Sequence, residues 1–136
     1  MIVYVDASAL IPLIKVESQS HAIEPYLRDL LEDGHLLVAG QLIETEMHRA
    51  AIRQGISERA VTSVLENINV FEHETVDFVT AGRFPMEHLG SLDALHLAAA
   101  QRVGTTAMIT FDDRLATAAE GSGIPVLDVT QPRMSM

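Results

Sequence analysis

Cysteine and tryptophan are missing from this 136-residue chain, and lysine occurs once, at Lys15. Without cysteine there can be no disulfide, no thiolate metal site and no cysteine nucleophile. Aromatic residues make up only 4%, so the core has to be built from Leu, Ile, Val, Ala and Met. No apolar run approaches the ~18 residues of a membrane span. The opening residues carry no basic stretch, and Asp6 interrupts their apolar run, so neither a signal peptide nor a membrane segment is expected. A cytoplasmic protein follows as an expectation. Positive charge is scarce as well: 9 Lys and Arg against 19 Asp and Glu, for a net charge of −10. Nonspecific binding along a phosphate backbone relies on clustered Lys and Arg, which excludes a passive nucleic-acid coat. It does not exclude a nucleic-acid enzyme whose positive charge is carried by metal ions.

What is present is ample apolar material. A hydrophobic fraction of 48% with 21% charged residues is the composition of a folded chain, not a disordered one. The length fits one domain, spanning 1–136. No repeat, low-complexity tract or linker divides it. Short β-branched apolar runs alternate with helical patterns. Strands are expected at Ile2–Val5, Leu36–Ala39, Val70–Glu72, Ala107–Thr110 and Pro125–Leu127. Helices are expected from about Ser8, over Ser20–Asp33 with Gly34 suited to end it, over Gln41–Gln54 closed by Gly55, and from an N-cap at Ser57 to about Asn67. Further helices are expected at Thr75–Arg83, Ser91–Val103 and Arg114–Glu120. Strands alternating with helices imply right-handed crossovers and an α/β fold with a central parallel sheet covered on both faces. Ligands of such sheets bind beyond the carboxyl ends of the strands.

Four acids stand where that crevice should be. Asp6 directly follows the first strand and Asp112 follows the fourth, although either could simply cap the next helix. Asp93 sits in a helix with little polar surface, where an unpaired charge is costly. It could be a helix-dipole partner, or it could be oriented by His96 one turn along. Glu46 falls at the edge of the apolar stripe Ile43, Met47 and Ala50, whereas Glu44 turns away. The plain alternative for Glu46 is a surface pair with Arg49 or Arg53. Four carboxylates converging on one pocket repel one another unless protons or a cation neutralise them. An oxygen-only donor set suits Mg²⁺ or Mn²⁺ rather than Zn²⁺. That pattern points to metal-dependent phosphodiester or phosphate chemistry.

The motifs around these acids resemble those of the PIN-domain ribonucleases, and specifically the VapC-type toxins of type II toxin–antitoxin systems. Val3-Tyr4-Val5-Asp6-Ala7-Ser8-Ala9-Leu10 resembles the first motif of the family, with Glu17 where a downstream acid is usual. Glu46 with Arg49 and Ala50 resembles the second. Ser91-Leu92-Asp93-Ala94-Leu95-His96-Leu97-Ala98 is the most specific match. Thr110-Phe111-Asp112, followed by Arg114-Leu115 and Ala118-Ala119, resembles the last. The resemblance implies a PIN-like three-layer α/β/α sandwich. It places metal-binding and catalytic acids at Asp6, Glu46, Asp93 and Asp112, with Ser8, Thr110, Asp113 and His96 in support. Asp113 follows Asp112 directly, so either could be the fourth ligand, and strand-end placement favours Asp112. The resemblance further implies a Mg²⁺- or Mn²⁺-dependent endoribonuclease, an RNA substrate, a cognate antitoxin protein and a homodimer. His48, Arg49 and Arg53 are the nearest thing to a basic patch.

Other acidic pockets fit less well. A haloacid-dehalogenase-like phosphatase needs a second Asp two residues after the first, where this chain has Ser8. A receiver domain needs a lysine on a late strand. A nucleotide-binding loop needs glycines at a spacing that Gly121-Ser122-Gly123 does not supply. A catalytically silent PIN-like protein-binding module is the remaining alternative.

Overall fold

The computed structural model describes residues 1–132. Strands β1 (Ile2–Val5), β2 (Leu36–Gly40), β3 (Asn69–Phe71) and β4 (Ala107–Ile109) form a sheet in the order β3-β2-β1-β4. All pairings are parallel, with Tyr4 opposite both Val38 and Met108. A parallel sheet is buried on both faces, which is why β1, β2 and β4 read as unbroken apolar runs.

The helices divide between the two faces. Helices α1 (Ala7–Leu10), α2 (Ser20–Glu32), α3 (Leu42–Gln54) and α4 (Glu58–Leu65) pack on Val3, Val5, Leu37, Ala39 and Ile109. On the opposite face α6 (Ser91–Arg102) and α7 (Asp113–Gly121) enclose Tyr4, Val38 and Met108. Helix α5 (Thr75–Ala81) lies along α6. The result is the expected three-layer α/β/α arrangement. Because side chains alternate along a strand, Val3 and Val5 serve one core and Tyr4 the other. Among the described residues no helix is long and apolar enough to cross a membrane.

Local signals account for most boundaries. Ser57 caps α4 by accepting from the Ala60 N–H at 3.3 Å. Gly34 (φ 82°) and Gly55 (φ 68°) take the left-handed conformation that ends α2 and α3, a conformation open to glycine without steric cost. Helix α6 is buried on most sides, through Ala94, His96 and Leu97 to Ala100.

Two expectations need correction. The strand expected at Pro125–Leu127 is a single bridge, Met108 to Val126. The Met108 N–H donates to the Pro125 carbonyl and the Leu127 N–H to the Met108 carbonyl, each at 2.9 Å. The ladder stops there because Pro125 has no N–H to donate and because Asp128 turns the chain, accepting from the Thr130 N–H at 2.9 Å. The third strand begins one residue earlier than expected, at Asn69, whose side-chain amide donates to the Leu37 carbonyl at 3.2 Å.

Candidate active site

The carboxyl ends of β1 and β4 lie side by side, and a clamp of two hydroxyls joins them. Asp6 has extended backbone and caps α1, its Oδ1 accepting from the Ala9 N–H at 3.3 Å. The Ser8 hydroxyl donates to the same oxygen at 2.8 Å, and the Thr110 hydroxyl donates to Oδ2 at 2.9 Å. Ser8 in turn accepts from the Phe111 N–H at 2.8 Å and Thr110 from the Asp112 N–H at 3.1 Å. Each hydroxyl has one proton, and both protons point at Asp6. The 3.2 Å approach of Ser8 Oγ to Thr110 Oγ1 is therefore contact rather than a further bond. Asp6 is thereby tied to the loop that carries Asp112, as the small hydroxyls at positions 8 and 110 suggested. Burial raises the Asp6 pKa, and the hydrogen bonds from Ser8, Thr110 and Ala9 only partly offset this.

Asp112 fills the capping role the sequence allowed. It caps α7, its Oδ1 accepting from Arg114 N–H at 2.9 Å and Leu115 N–H at 3.1 Å. It also lies close enough to Asp93, in the first turn of α6, for its negative charge to act on that carboxyl. Burial, then the negative charges of Asp112 and Asp6, push the Asp93 carboxyl up to about 6. Two carboxylates in contact cannot both ionise at ordinary cost. Asp113, by contrast, is exposed on α7 and lines an outer groove with Met86, His88 and Leu89. Of the two adjacent acids, Asp112 is the one in the cluster.

Glu46 approaches from the other layer, and its partner is His96 rather than Arg49 or Arg53. His96 is fully buried. Its Nε2 lies 2.5 Å from Glu46 Oε1 and its Nδ1 lies 2.6 Å from the Tyr4 hydroxyl. The Gly40 N–H donates to that hydroxyl at 3.0 Å. His96 therefore does not orient Asp93 as one reading of the sequence allowed. One helical turn does separate the two along α6, but the ring is turned across the sheet edge toward α3. Tyr4 and Gly40 were missed by sequence reasoning. The available signal was the one polar-tipped side chain in an aliphatic strand, since a buried tyrosine hydroxyl usually finds a partner.

The structure thus brings Asp93 within electrostatic reach of both Asp112 and Asp6. It joins Glu46 to His96, which itself lies within electrostatic reach of Asp6 and Asp93. Among the described residues no three His, Asp or Glu side chains close into a ready-made cage for an ion. The donor chemistry still fits a hard divalent cation: the donors are carboxyl oxygens, crowded at Asp93, and among the described residues no Lys or Arg forms an ion pair with them. Mg²⁺ retains several waters, so a partial protein shell is what it requires. Arg49 and Arg53 are exposed three and seven residues beyond Glu46, one cationic row leading away from the acids.

Known proteins resemble this chain along almost its whole length. Residues 3–121 match the PIN domain family. The chain is 40% identical over 137 residues to Ribonuclease VapC35 of Mycobacterium tuberculosis (strain H37Rv), covering 96% of this chain and 99% of that protein. It is 35% identical over 129 residues to Ribonuclease VapC46 of the same strain, covering 92% and 95%. Among solved structures, VapBC2 from Rickettsia felis bound to a DNA fragment from their promoter superposes with a TM-score of 0.71 at 11% identity, covering 93% of this chain and 98% of that one. VapC20 of Mycobacterium tuberculosis, a Sarcin-Ricin loop cleaving toxin, gives 0.68 at 15% identity, covering 85% and 94%. At such identities the structural likeness speaks to the fold.

Proposed function

This chain belongs to the PIN-domain family, and from that premise we propose that it is a metal-dependent endoribonuclease, the toxin of a toxin–antitoxin pair. The observation that carries the reading is the gathering of acids at the carboxyl edge of the sheet, where Thr110 ties buried Asp6 to the backbone of Asp112 and both acids act on Asp93. A fold keeps so unfavourable a group of acids where a cation is to be bound.

In this reading Asp6, Asp93 and Asp112 hold Mg²⁺ or Mn²⁺, and Glu46 holds a second ion or positions water. When bound, the metal lowers the pKa of a coordinated water and offsets charge on the scissile phosphate. The chain's own residues do the rest. The Ser8 and Thr110 hydroxyls keep the Asp6 carboxylate from turning out of the site. The two N–H groups at the start of α7 hold Asp112 by one oxygen and leave the other for the cluster. Arg49 and Arg53 offer phosphate contacts along the approach. In this reading a single domain over 1–136 carries the site.

The partners of the reading are an RNA substrate, a second copy of the chain and a small antitoxin. The relatives carrying the VapC name, and the VapBC2 assembly among the similar folds, support the antitoxin. A net charge of −10 favours an antitoxin segment that is basic where it meets the acids, because opposite charge steers association. A cytoplasmic setting accords with an RNA target.

The test is cleavage of labelled tRNA and rRNA by the purified chain with and without Mg²⁺ or Mn²⁺. Cleavage is expected only with the metal. Asp93→Asn should keep the fold and lose at least ~10²-fold in rate, the scale of removing one preorganised electrostatic group. Equal cleavage by Asp93→Asn would overturn the site. No cleavage of any RNA, with capture of an antitoxin retained, would favour the silent protein-binding module.

A further inference from the structure

We infer that Tyr4 and His96 form a positioning relay that aims the Glu46 carboxylate into the acid cluster, with His96 held as the neutral Nε2–H tautomer. This rests on the nuclease reading for its purpose but not for its geometry.

The protonation pattern follows from counting donors. The Tyr4 hydroxyl has one proton and already accepts from the Gly40 N–H at 3.0 Å. The acceptor within reach of that proton is His96 Nδ1, 2.6 Å away. Nδ1 must then be bare, because two hydrogens cannot occupy one contact. A neutral imidazole with a bare Nδ1 carries its hydrogen on Nε2, which faces Glu46 Oε1 at 2.5 Å. Every polar atom of the relay is satisfied in this one arrangement. Reversing it would leave the tyrosine proton buried with nothing to receive it, a costly state.

The relay is built into both layers of the fold. Tyr4 stands on β1, two residues before Asp6, and His96 stands on α6, one turn after Asp93. Gly40 ends β2, and only Gln41 separates it from α3, the helix of Glu46. A side chain at Gly40 would collide with the His73 ring and would crowd the Tyr4 hydroxyl, 3.1 Å away. His96 has no exposure, whereas the Glu46 side chain is 20% exposed. The buried end is therefore fixed, and the partly open end is what it aims. Groups that hydrogen-bond a metal-binding side chain typically change affinity or activity by about 10–100-fold when removed.

Glutamine and asparagine separate the two ends of the ring. His96→Gln can place an amide N–H where Nε2 lies and keep the Glu46 bond. His96→Asn can place an amide oxygen near Nδ1 and keep only the Tyr4 bond. With purified, metal-free protein, calorimetric titration with Mn²⁺ should show binding weakened about 10-fold or more in His96→Asn. His96→Gln should stay within about threefold of the wild type. In protein labelled with nitrogen-15 histidine, the His96 ring should show a bare Nδ1 and a protonated Nε2. Tyr4→Phe, which removes only the hydroxyl, should mix the tautomers and weaken Mn²⁺ binding; it decides the matter if the His96 variants do not fold. A protonated Nδ1 in the wild type, or Mn²⁺ affinity unchanged in both His96→Asn and Tyr4→Phe, would overturn the relay. A wild type that cleaves RNA while those variants bind Mn²⁺ normally sinks the relay alone. A wild type that neither binds Mn²⁺ nor cuts RNA sinks the nuclease reading and with it the purpose of the relay.

Discussion

Two aspartates of this chain are almost fully buried, Asp6 at 4% exposure and Asp77 at 1%, and they are held in opposite ways. Asp77 sits in the first turn of α5 and receives a two-pronged bond from Arg102, Nε to Oδ1 at 2.8 Å and Nη2 to Oδ2 at 3.0 Å. The Glu74 N–H adds a third bond at 3.0 Å. Burial alone would raise the Asp77 pKa, but the Arg102 bonds, the Glu74 N–H and the guanidinium charge together hold it below the ordinary range. Asp6 receives neutral hydroxyls and one N–H but no guanidinium, so burial prevails and its pKa is raised. One carboxylate has its cation supplied by the fold; the other, on the proposed reading, takes one from outside. Burial alone does not separate the two acids, but the charge of their partners does.

The comparison breaks most visibly at Asp77. Asp77→Ala strands the Arg102 guanidinium and opens the seam between α5 and α6. Removing one partner of a buried pair costs about 3–5 kcal/mol. Arg102 keeps 25% exposure, so about 2–4 kcal/mol is expected, read from urea unfolding. Asp93→Asn in EDTA at neutral pH should instead match or exceed the wild type, because it removes repulsion. If Asp93→Asn loses as much as Asp77→Ala, the acids at the sheet edge are structural too.

Divalent ions sharpen the same contrast. At a hundredfold excess over its dissociation constant a bound ion adds about 2.7 kcal/mol of stability, so Mn²⁺ should raise the melting temperature of the wild type. Asp6→Asn and Asp93→Asn should lose most of that rise, while Asp77→Asn, though less stable, should keep it. A rise of equal size in all four proteins would place the ion elsewhere.

The sequence carried the acids better than their partners. Asp6 and Asp112 could be placed because each ends a strand run, and Glu46 because helical periodicity separated it from Glu44. Strand and helix order was legible for a similar reason: alternation in period is a local property. Asp77 was not singled out, since Arg102 lies 25 residues away and nothing local announces their pairing. Tyr4 and His96 are separated by 92 residues, so their contact depends on how α6 packs on β1. The capping roles of Asp6 and Asp112, offered by the sequence as rivals to a site, are both present, and at Asp112 the cap uses only one of the two carboxylate oxygens.

Acidity should act on the two regions with opposite sign. Asp93 has an ordinary pKa of 3.8 and is pushed up to about 6 in the fold, so without metal the native state binds more protons than the unfolded chain between those values. Stability from this group is full below about pH 4, declines as pH rises toward 6, and is flat above. At 1.36 kcal/mol per unit the whole shift is worth about 3 kcal/mol; partial solvent access reduces this to about 1–2 kcal/mol. Asp77, with a lowered pKa, contributes above about pH 4 and loses its contribution as pH falls through its folded value. Urea unfolding in EDTA from pH 4 to 7 should show Asp93→Asn gaining on the wild type as pH rises. A constant difference between them across that range would contradict the crowding.

The smallest effect concerns cations that are not committed. Arg102 is spent on Asp77, whereas Arg49 and Arg53 have no ion pair among the described residues and stand exposed along α3 beyond Glu46. An arginine that meets a phosphate of single-stranded RNA releases about 0.7 counterion, so its loss should lower the salt slope of binding by about 0.7–1. Such a contact is made equally in ground and transition states, so Arg49→Ala should raise KM about 3–10-fold and leave kcat unchanged. Arg102→Ala should lower the melting temperature and leave the salt slope as it was, because its guanidinium is turned inward onto Asp77, the Glu72 carbonyl and the Phe71 ring. Cleavage rates of one labelled RNA at several salt concentrations provide both numbers. If Arg102→Ala changes the slope and Arg49→Ala does not, the cationic approach to the acids lies along α6, and the row on α3 is ordinary solvated surface.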